Sequence, residues 1–491
     1  MKLWKNGIIH SMVNEKEVYH QMATNNGFII GFDDEINELQ FDEVIDLKKA
    51  HVYPGFVDAH MHLLGYGQML SRPNLYHFKN KDDIITFLKT MKLNQTLFAL
   101  GYVECGLTKD DLNLVSKDIP ILIRHNDYHS LTVNDFVLGE LNIKSSTGIL
   151  TEQDAFFAMS HYEKFDDEIL TNYLVKALDQ LYKFGITGAH SDDLHYFNGF
   201  DKTLSVIENV LKNHPFRANL LIHHLELEPF IKSMRFDLNQ NKYLQLGAIK
   251  MFYDGTVSSK TALMKNPYKN SSSYGLNVNG YKEFESIIKE VRKNNLTAAI
   301  HVIGDQALEE VLDILEKYPP KKLAFDRLIH TPWASYQSIT QMKKLPLSID
   351  IQPQFLSSDL PWALDFFSKT PDLCFPWKTM LDNNIILSGS SDAPVEIPNP
   401  LLGIYQLIER KSSHDQKNYF VDERLTRFQA ISLYTIGANF QTFDSKRGYI
   451  KKGYIADFSI FKYDLLSMHK DKFLEDIVKM TVIDEIICYQ S

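Results

Sequence analysis

Two histidines one residue apart, His60 and His62 in the run Pro54-Gly-Phe-Val-Asp-Ala-His-Met-His-Leu63, are the first residues in the chain that could do chemistry. Phe56 and Val57 are apolar enough for a buried parallel strand, and Pro54-Gly55 punctuates its start. A strand's two-residue period puts both imidazoles on one side, about 6.6–7 Å apart along the chain, where they can grip one metal ion. Alone, such a pair is just as readily two core or surface histidines. The remaining candidate ligands decide the matter.

Four more polar residues follow apolar runs of strand character. Lys250 is the only cation in Ala248-Ile-Lys-Met-Phe, His301 ends Ala299-Ile-His, His330 ends Leu328-Ile-His, and Asp392 follows Ile386-Leu-Ser-Gly-Ser-Ser. Singly, His301 or His330 reads as a satisfied core histidine, and Asp392 as an N-cap for a helix beginning at Ala393-Pro394. Lys250 is harder to dismiss, because a buried ammonium must be paired, deprotonated or chemically altered. Six such residues at corresponding places favour a shared metal site.

The elements that must position them alternate regularly. Strand candidates lie at Gly55–Ala59, Ile186–His190, Ala218–His223, Gly247–Met251, Ala298–His301, Arg327–His330, Leu347–Ile351 and Ile385–Leu387, with helical patterns such as Asp167–Phe184 and Asp305–Lys317 between them. Eight βα units predict an α/β fold, a (β/α)8 barrel whose catalytic groups sit at the C-terminal strand ends. Five of the eight ends carry a candidate ligand. Such barrels use about 250 residues, so the chain of 491 carries extra material. We expect a barrel over 53–445 with an inserted subdomain at about 64–166 over its mouth. The β-like ends, 1–52 and 446–491, should together form a small β-sandwich. Helices at Leu401–Lys411 and Thr426–Ala438 would finish the barrel.

Composition excludes some functions. Net charge is −10, from 62 acidic and 52 basic side chains, which argues against nucleic acid as a ligand. The three cysteines, Cys105, Cys374 and Cys488, are scattered and fit a reducing compartment, each as a small buried hydrophobe. No run approaches the roughly 18 apolar residues of a membrane span, and the start does not read as a signal peptide. The expectation is a cytoplasmic protein with a small-molecule substrate and no membrane partner; a homodimer is plausible on base rate.

The ordered motifs resemble the metal-dependent amidohydrolase superfamily, and within it the YtcJ-like branch (amidohydrolase family 3), which includes N-substituted formamide deformylases. Pro54–His62 resembles its proline-glycine-aliphatic-Asp-x-His-x-His pattern. Lys250–Met264, His301–Leu308, Gly389–Val395 (with one extra serine, Ser390-Ser391) and Gly448–Phe458 match later family segments. The resemblance implies a barrel flanked by a β-sandwich and one or two divalent metals, most often Zn2+. His60, His62 and Asp392 would hold one ion, His301 and His330 the other, and Lys250, N-carboxylated by CO2, would bridge them.

It also implies hydrolysis of an amide or N-formyl C–N bond by a water whose pKa the metal lowers to roughly 7. Asp392 would be the catalytic proton carrier, taking the water's proton and returning it to the leaving nitrogen. In the insert, Arg124-His-Asn-Asp-Tyr-His129-Ser-Leu-Thr-Val-Asn134 is similar to a family segment, with Tyr128 where glycine is common. His129 and Asn134 are therefore the substrate-binding candidates, set against a purely structural role. Asp254 and Thr256 are expected to support the Lys250 strand, and Trp333 to line the pocket or pack beside it. The rivals are deamination or ester cleavage by the same site, and a catalytically silent scaffold.

Overall fold

The computed structural model describes residues 1–91, 96–125, 130–235, 241–442 and 446–491. Eight parallel strands form one sheet in chain order: β1 (Phe56–Met61), β2 (Ile186–Ser191), β3 (Arg217–His223), β4 (Leu244–Phe252), β5 (Ala298–Val302), β6 (Asp326–His330), β7 (Leu347–Ile351) and β8 (Ile386–Gly389). Every residue of β1, β2, β3, β5, β6 and β7 is buried, the signature of strands covered on both faces. The first and last strands meet through the segments that follow them: Asp392 N–H donates to the His60 carbonyl (2.8 Å) and His62 N–H to that of Ala393 (2.7 Å). This is the expected (β/α)8 barrel.

The connecting helices include Phe200–Leu211, Tyr281–Lys293, Asp305–Lys317, Tyr336–Met342 and Trp377–Asp382. The helix expected at Asp305–Lys317 has those bounds, because its apolar face repeats with helical period. The helix expected over Thr426–Ala438 is present as one helical run that is α-helical at Arg427–Ser432, widens into a π-turn at Leu433–Gly437 and is α-helical again at Ala438–Phe440. In the π-turn Gly437 comes so close to β8 that a Cβ would lie 2.1 Å from the Leu387 carbonyl oxygen.

Inside the barrel, Arg327 on β6 donates through Nε (3.0 Å) and Nη2 (2.7 Å) to Asp350 Oδ2 on β7, and its Nη2 also reaches the Ala59 carbonyl on β1. Both ion-pair partners are almost fully buried. Gln441 adds bonds to Ser348 Oγ (3.0 Å) and Asp350 Oδ1 (2.5 Å).

Both chain ends build the β-sandwich. Lys2–Lys5, Met22–Asn25, Phe28–Phe32 and Glu43–Asp46 form a four-stranded sheet. The six-stranded sheet joins Ile8–His10, Val18–Tyr19 and His51–Pro54 to the C-terminal strands Phe458–Phe461, Val478–Ile483 and Ile486–Gln490. Trp4, Ile9, Met22, Val52, Phe458, Ile460 and Val482 fill its core.

The chain divides into two compact units, Met1–Leu63 with Leu178–Ser491, and Leu64–Ala177. The second has its own four-stranded sheet, Leu97–Tyr102, Ile121–His125, Ser130–Val133 and Ile149–Thr151. Alternation along Ile121-Leu-Ile sends Ile121 and Ile123 into one apolar cluster and Leu122 into another.

Candidate metal centre and active site

The sequence candidates on β1, β4, β5, β6 and after β8 come together at the C-terminal end of the barrel. His60 Nε2 and His62 Nε2 lie 3.3 and 3.6 Å from the same oxygen, Asp392 Oδ1. These three ligand atoms lie within 4.8 Å of one another. No helix starts at Asp392; it sits in a turn with φ +57° and points inward, while the next helix begins at Pro400 with Asn399 as its cap. Asp58 ties the two ends together, its Oδ1 accepting from the backbone N–H of His60 and of Ser391, each at 3.1 Å. Burial pushes its carboxyl up to about 7.

The second pair is defined by its hydrogen bonds. His330 Nδ1 lies 2.7 Å from Gln352 Oε1, and the Gln352 amide is oriented by donating to the Asp350 carbonyl (3.1 Å) and Ser390 Oγ (2.9 Å). His330 therefore carries its proton on Nδ1 and turns an Nε2 lone pair inward. His301 Nε2 faces the Gly255 carbonyl at 3.3 Å, which leaves the lone pair on Nδ1. Those two nitrogens are 3.0 Å apart. The rings are inclined at 75°, with centroids 4.6 Å apart, so the pairs converge to one side instead of opposing head-on. Two acceptors in this arrangement call for a cation between them. His330 itself holds φ +80°, the left-handed region that costs a β-carbon residue strain.

Electrostatics fits the same group. Burial holds His60 and His301 well below the usual imidazole range and lowers His330 to about 4, so all three are neutral, the form that binds metal. Burial opposes ionisation of Asp392, but the hydrogen bonds from His60 and His62 outweigh it and keep the carboxyl well below its ordinary value. His62 is likewise opposed by burial, yet Asp392 raises it to about 9. Its Nδ1 is anchored by the Asp192 carbonyl at 2.9 Å, so Nε2 is the atom that faces Asp392.

The amidohydrolase family profile matches residues 43–489. The chain belongs to the amidohydrolase family. It is 31% identical to YtcJ of Bacillus subtilis (strain 168), over the whole of this chain and 99% of that one. It is 24% identical to the Arabidopsis thaliana protein LONG AFTER FAR-RED 3, over 88% and 81% of the two chains. Among solved structures, an uncharacterized metal-dependent hydrolase from Pyrococcus horikoshii OT3 superposes with a TM-score of 0.83, at 25% identity, over 96% of this chain and 99% of that one. A second from Pyrococcus furiosus gives 0.82 at 23% identity, over 95% and 100%, a likeness of fold.

In this amidohydrolase Lys250 is 1% exposed, and its Nζ lies 3.3 Å from His60 Nε2 and 3.4 Å from Asp192 Oδ2. Asp192, fully buried just after β2, is a residue that sequence reasoning missed. The signal was present: the run Ile186-Thr-Gly-Ala-His-Ser-Asp192 ends an apolar strand in an acid, like the other strand ends. Gln352 after β7 and His223 at the end of β3 were missed for the same reason. Burial lowers His223 to about 4.

Asp254 accepts backbone N–H bonds from Leu263 (2.9 Å), Ile303 (3.0 Å) and Gly304 (2.8 Å), so it braces the segments after β4 and β5. Thr256 bonds within its own exposed turn. Trp333 is buried and packs edge-on against Phe367 and Phe375. The substrate-binding expectation for His129 lies outside the described residues. Asn134 is fully buried in the other unit, where Nδ2 donates to the Ser116 and Ile119 carbonyls and Oδ1 accepts from Ile121 N and Val137 N. Those bonds use all of its polar capacity to cap the helix Asp135–Leu141. That geometry supports the structural role, with no polar atom left for a substrate.

A second His/His/Asp group, His10, His51 and Asp464, lies in the sandwich. Its geometry is different in kind. His10 Nε2 and His51 Nδ1 are 3.1 Å apart and the ring centroids 5.4 Å, at 20° between planes. The difference, 5.4 − 3.1 = 2.3 Å, is two ring radii, so the nitrogens lie on the line joining the rings. They share a proton head-on, so an ion at about 2.0–2.1 Å from both would sit well off the direction of either lone pair.

Proposed function

We propose that this amidohydrolase is a metal-dependent hydrolase that cleaves a non-peptide C–N bond, of amide or N-formyl type, in a small molecule. The observation that carries the metal reading is the pair of converging lone pairs on His301 Nδ1 and His330 Nε2, whose outer nitrogens are both committed as donors. His60, His62 and Asp392 would hold one divalent ion, and His301 and His330 a second, with zinc the fitting choice for imidazole and carboxylate donors. When bound, such an ion lowers the pKa of water towards 7 and supplies hydroxide at neutral pH.

The protein's own groups do the rest. Asp392, held anionic by His60 and His62, takes the proton of the attacking water and returns it to the leaving nitrogen. Lys250, as an N-carboxylate formed with CO2, would trade a buried cation for an anionic oxygen ligand and bridge the two ions. The carbamate nitrogen keeps one N–H, and Asp192 Oδ2, 3.4 Å from Nζ, is placed to accept it. Family membership supports the C–N bond as the target, while the site itself would serve esters and cyclic amidines equally well.

The experiment is zinc analysis of the purified full-length protein, followed by assay against amides, formamides, ureas, cyclic amidines and esters. Stoichiometric zinc with turnover of amides or formamides is expected. Turnover confined to amidines or esters would overturn the bond assignment, and a metal-free, inactive protein would overturn the enzyme.

A further inference from the structure

His223 ends β3, and its register partner on β4 is Lys250. Register partners on adjacent parallel strands send their side chains to the same face, so His223 stands beside Lys250 on the side that carries the metal-site groups. The Phe252 ring lies between the two halves of the site: its centroid is 6.0 Å from that of His223 and 5.1 Å from that of His301, and Lys250 Nζ is 4.6 Å above it.

The ring of His223 is clamped. Its Nδ1 accepts the Leu225 backbone N–H at 3.3 Å, which puts the ring proton on Nε2. His195 stacks on it at 4.4 Å and 14°, and is itself fixed by Glu226 at 2.9 Å. Glu226 also accepts from Phe200 N (3.2 Å), at the start of the following helix. The residue is 5% exposed, and the only hydrogen bond its ring makes to the described residues is the one through Nδ1. The Leu225 bond also disqualifies His223 as a metal ligand, since the nitrogen left to face the site carries a hydrogen. An immobilised N–H donor on a buried ring, without an acceptor among the described residues and beside the reacting centre, is what oxyanion stabilisation requires.

We propose that His223 is a further catalytic residue, donating its Nε2–H to the carbonyl oxygen of the scissile group. The inference rests on the hydrolytic reading above. As the hydroxide oxygen bonds to the carbonyl carbon, the C=O π pair moves onto that oxygen and its growing charge meets the Nε2–H. No proton is transferred to or from His223 in this step.

The test uses zinc-loaded full-length protein, His223→Ala and His223→Gln. The glutamine amide restores an N–H donor. Zinc content is measured first, then binding of methylphosphonate, a tetrahedral anion, by calorimetry, then kcat and KM on whichever substrate of the panel is turned over. Expected for His223→Ala are unchanged zinc, methylphosphonate binding weakened at least tenfold, and kcat lower by about 10²–10³ with KM little moved. Partial recovery is expected in His223→Gln. Unchanged binding in His223→Ala, or no binding to the wild type, overturns the proposal; so does loss of zinc, which would make His223 a ligand. If the wild type holds zinc but cleaves nothing in the panel, the bond assignment fails, and the methylphosphonate comparison still decides the role of His223.

Discussion

His301 Nδ1 and His330 Nε2 lie 3.0 Å apart with their lone pairs converging to one side, while the Gly255 carbonyl and Gln352 Oε1 hold the protons on the opposite nitrogens. Two imidazole lone pairs so placed repel until a cation comes between them. The contrast with His10 and His51, similarly close but collinear around one proton, separates a candidate metal centre from a hydrogen bond by ring orientation.

Gln352 is therefore a positioning residue for the metal. Gln352→Leu removes the acceptor that fixes the His330 tautomer, and metal affinity should fall about 10–100-fold. Chelator competition followed by metal analysis measures this. Wild-type affinity in the variant would show that the tautomer is set elsewhere.

Asp392→Asn keeps the shape of the side chain and an oxygen ligand but removes the proton acceptor. We expect much of the metal to remain and kcat to fall by about 10²–10⁴. Near-normal kcat would transfer the proton-carrying role to another group.

Lys250→Ala should lose the bridging ligand and with it metal content and activity, and wild-type protein should take up more metal with bicarbonate than without. Full metal and activity in the alanine variant would reduce Lys250 to the ion-pair partner of Asp192.

Acid should weaken the sandwich through His10. Burial lowers its folded value from 6.5 to about 4, so the folded state binds fewer protons than the unfolded state between those values. The stabilising contribution is complete above pH 6.5 and is lost as pH falls towards 4, a change on the order of 3 kcal/mol. Urea unfolding of wild type and His10→Gln across that window should show a shallower pH dependence in the variant; parallel curves would contradict the assignment.

The Arg327–Asp350 pair crosses the barrel interior to β1. Arg327→Met leaves Asp350 buried and unpaired, at a cost of about 3–5 kcal/mol. Thermal and urea unfolding report it, and Asp350→Leu in the same chain should recover part of the loss.

Strands and helices were legible because buried parallel strands read as short apolar runs and their covering helices as period-3.6 stripes. Six ligand candidates were legible because each breaks an apolar run with a polar group. Asp192, His223 and Gln352 stand at strand ends too, but their significance lies in partners: Lys250 Nζ for the first, Leu225 N for the second, His330 Nδ1 for the third. Asn134 shows the reverse case, a motif residue whose polar atoms are all spent on backbone groups of its own unit.

By itself the sequence determined the barrel, the sandwich of both termini and the identities of His60, His62, Lys250, His301, His330 and Asp392, since burial pattern and residue type are local properties. Only the tertiary structure decided which nitrogen of each histidine carries its proton and which buried charge Lys250 meets. Those depend on atoms brought within hydrogen-bond distance from strands far apart in the chain, and no periodicity records such a meeting.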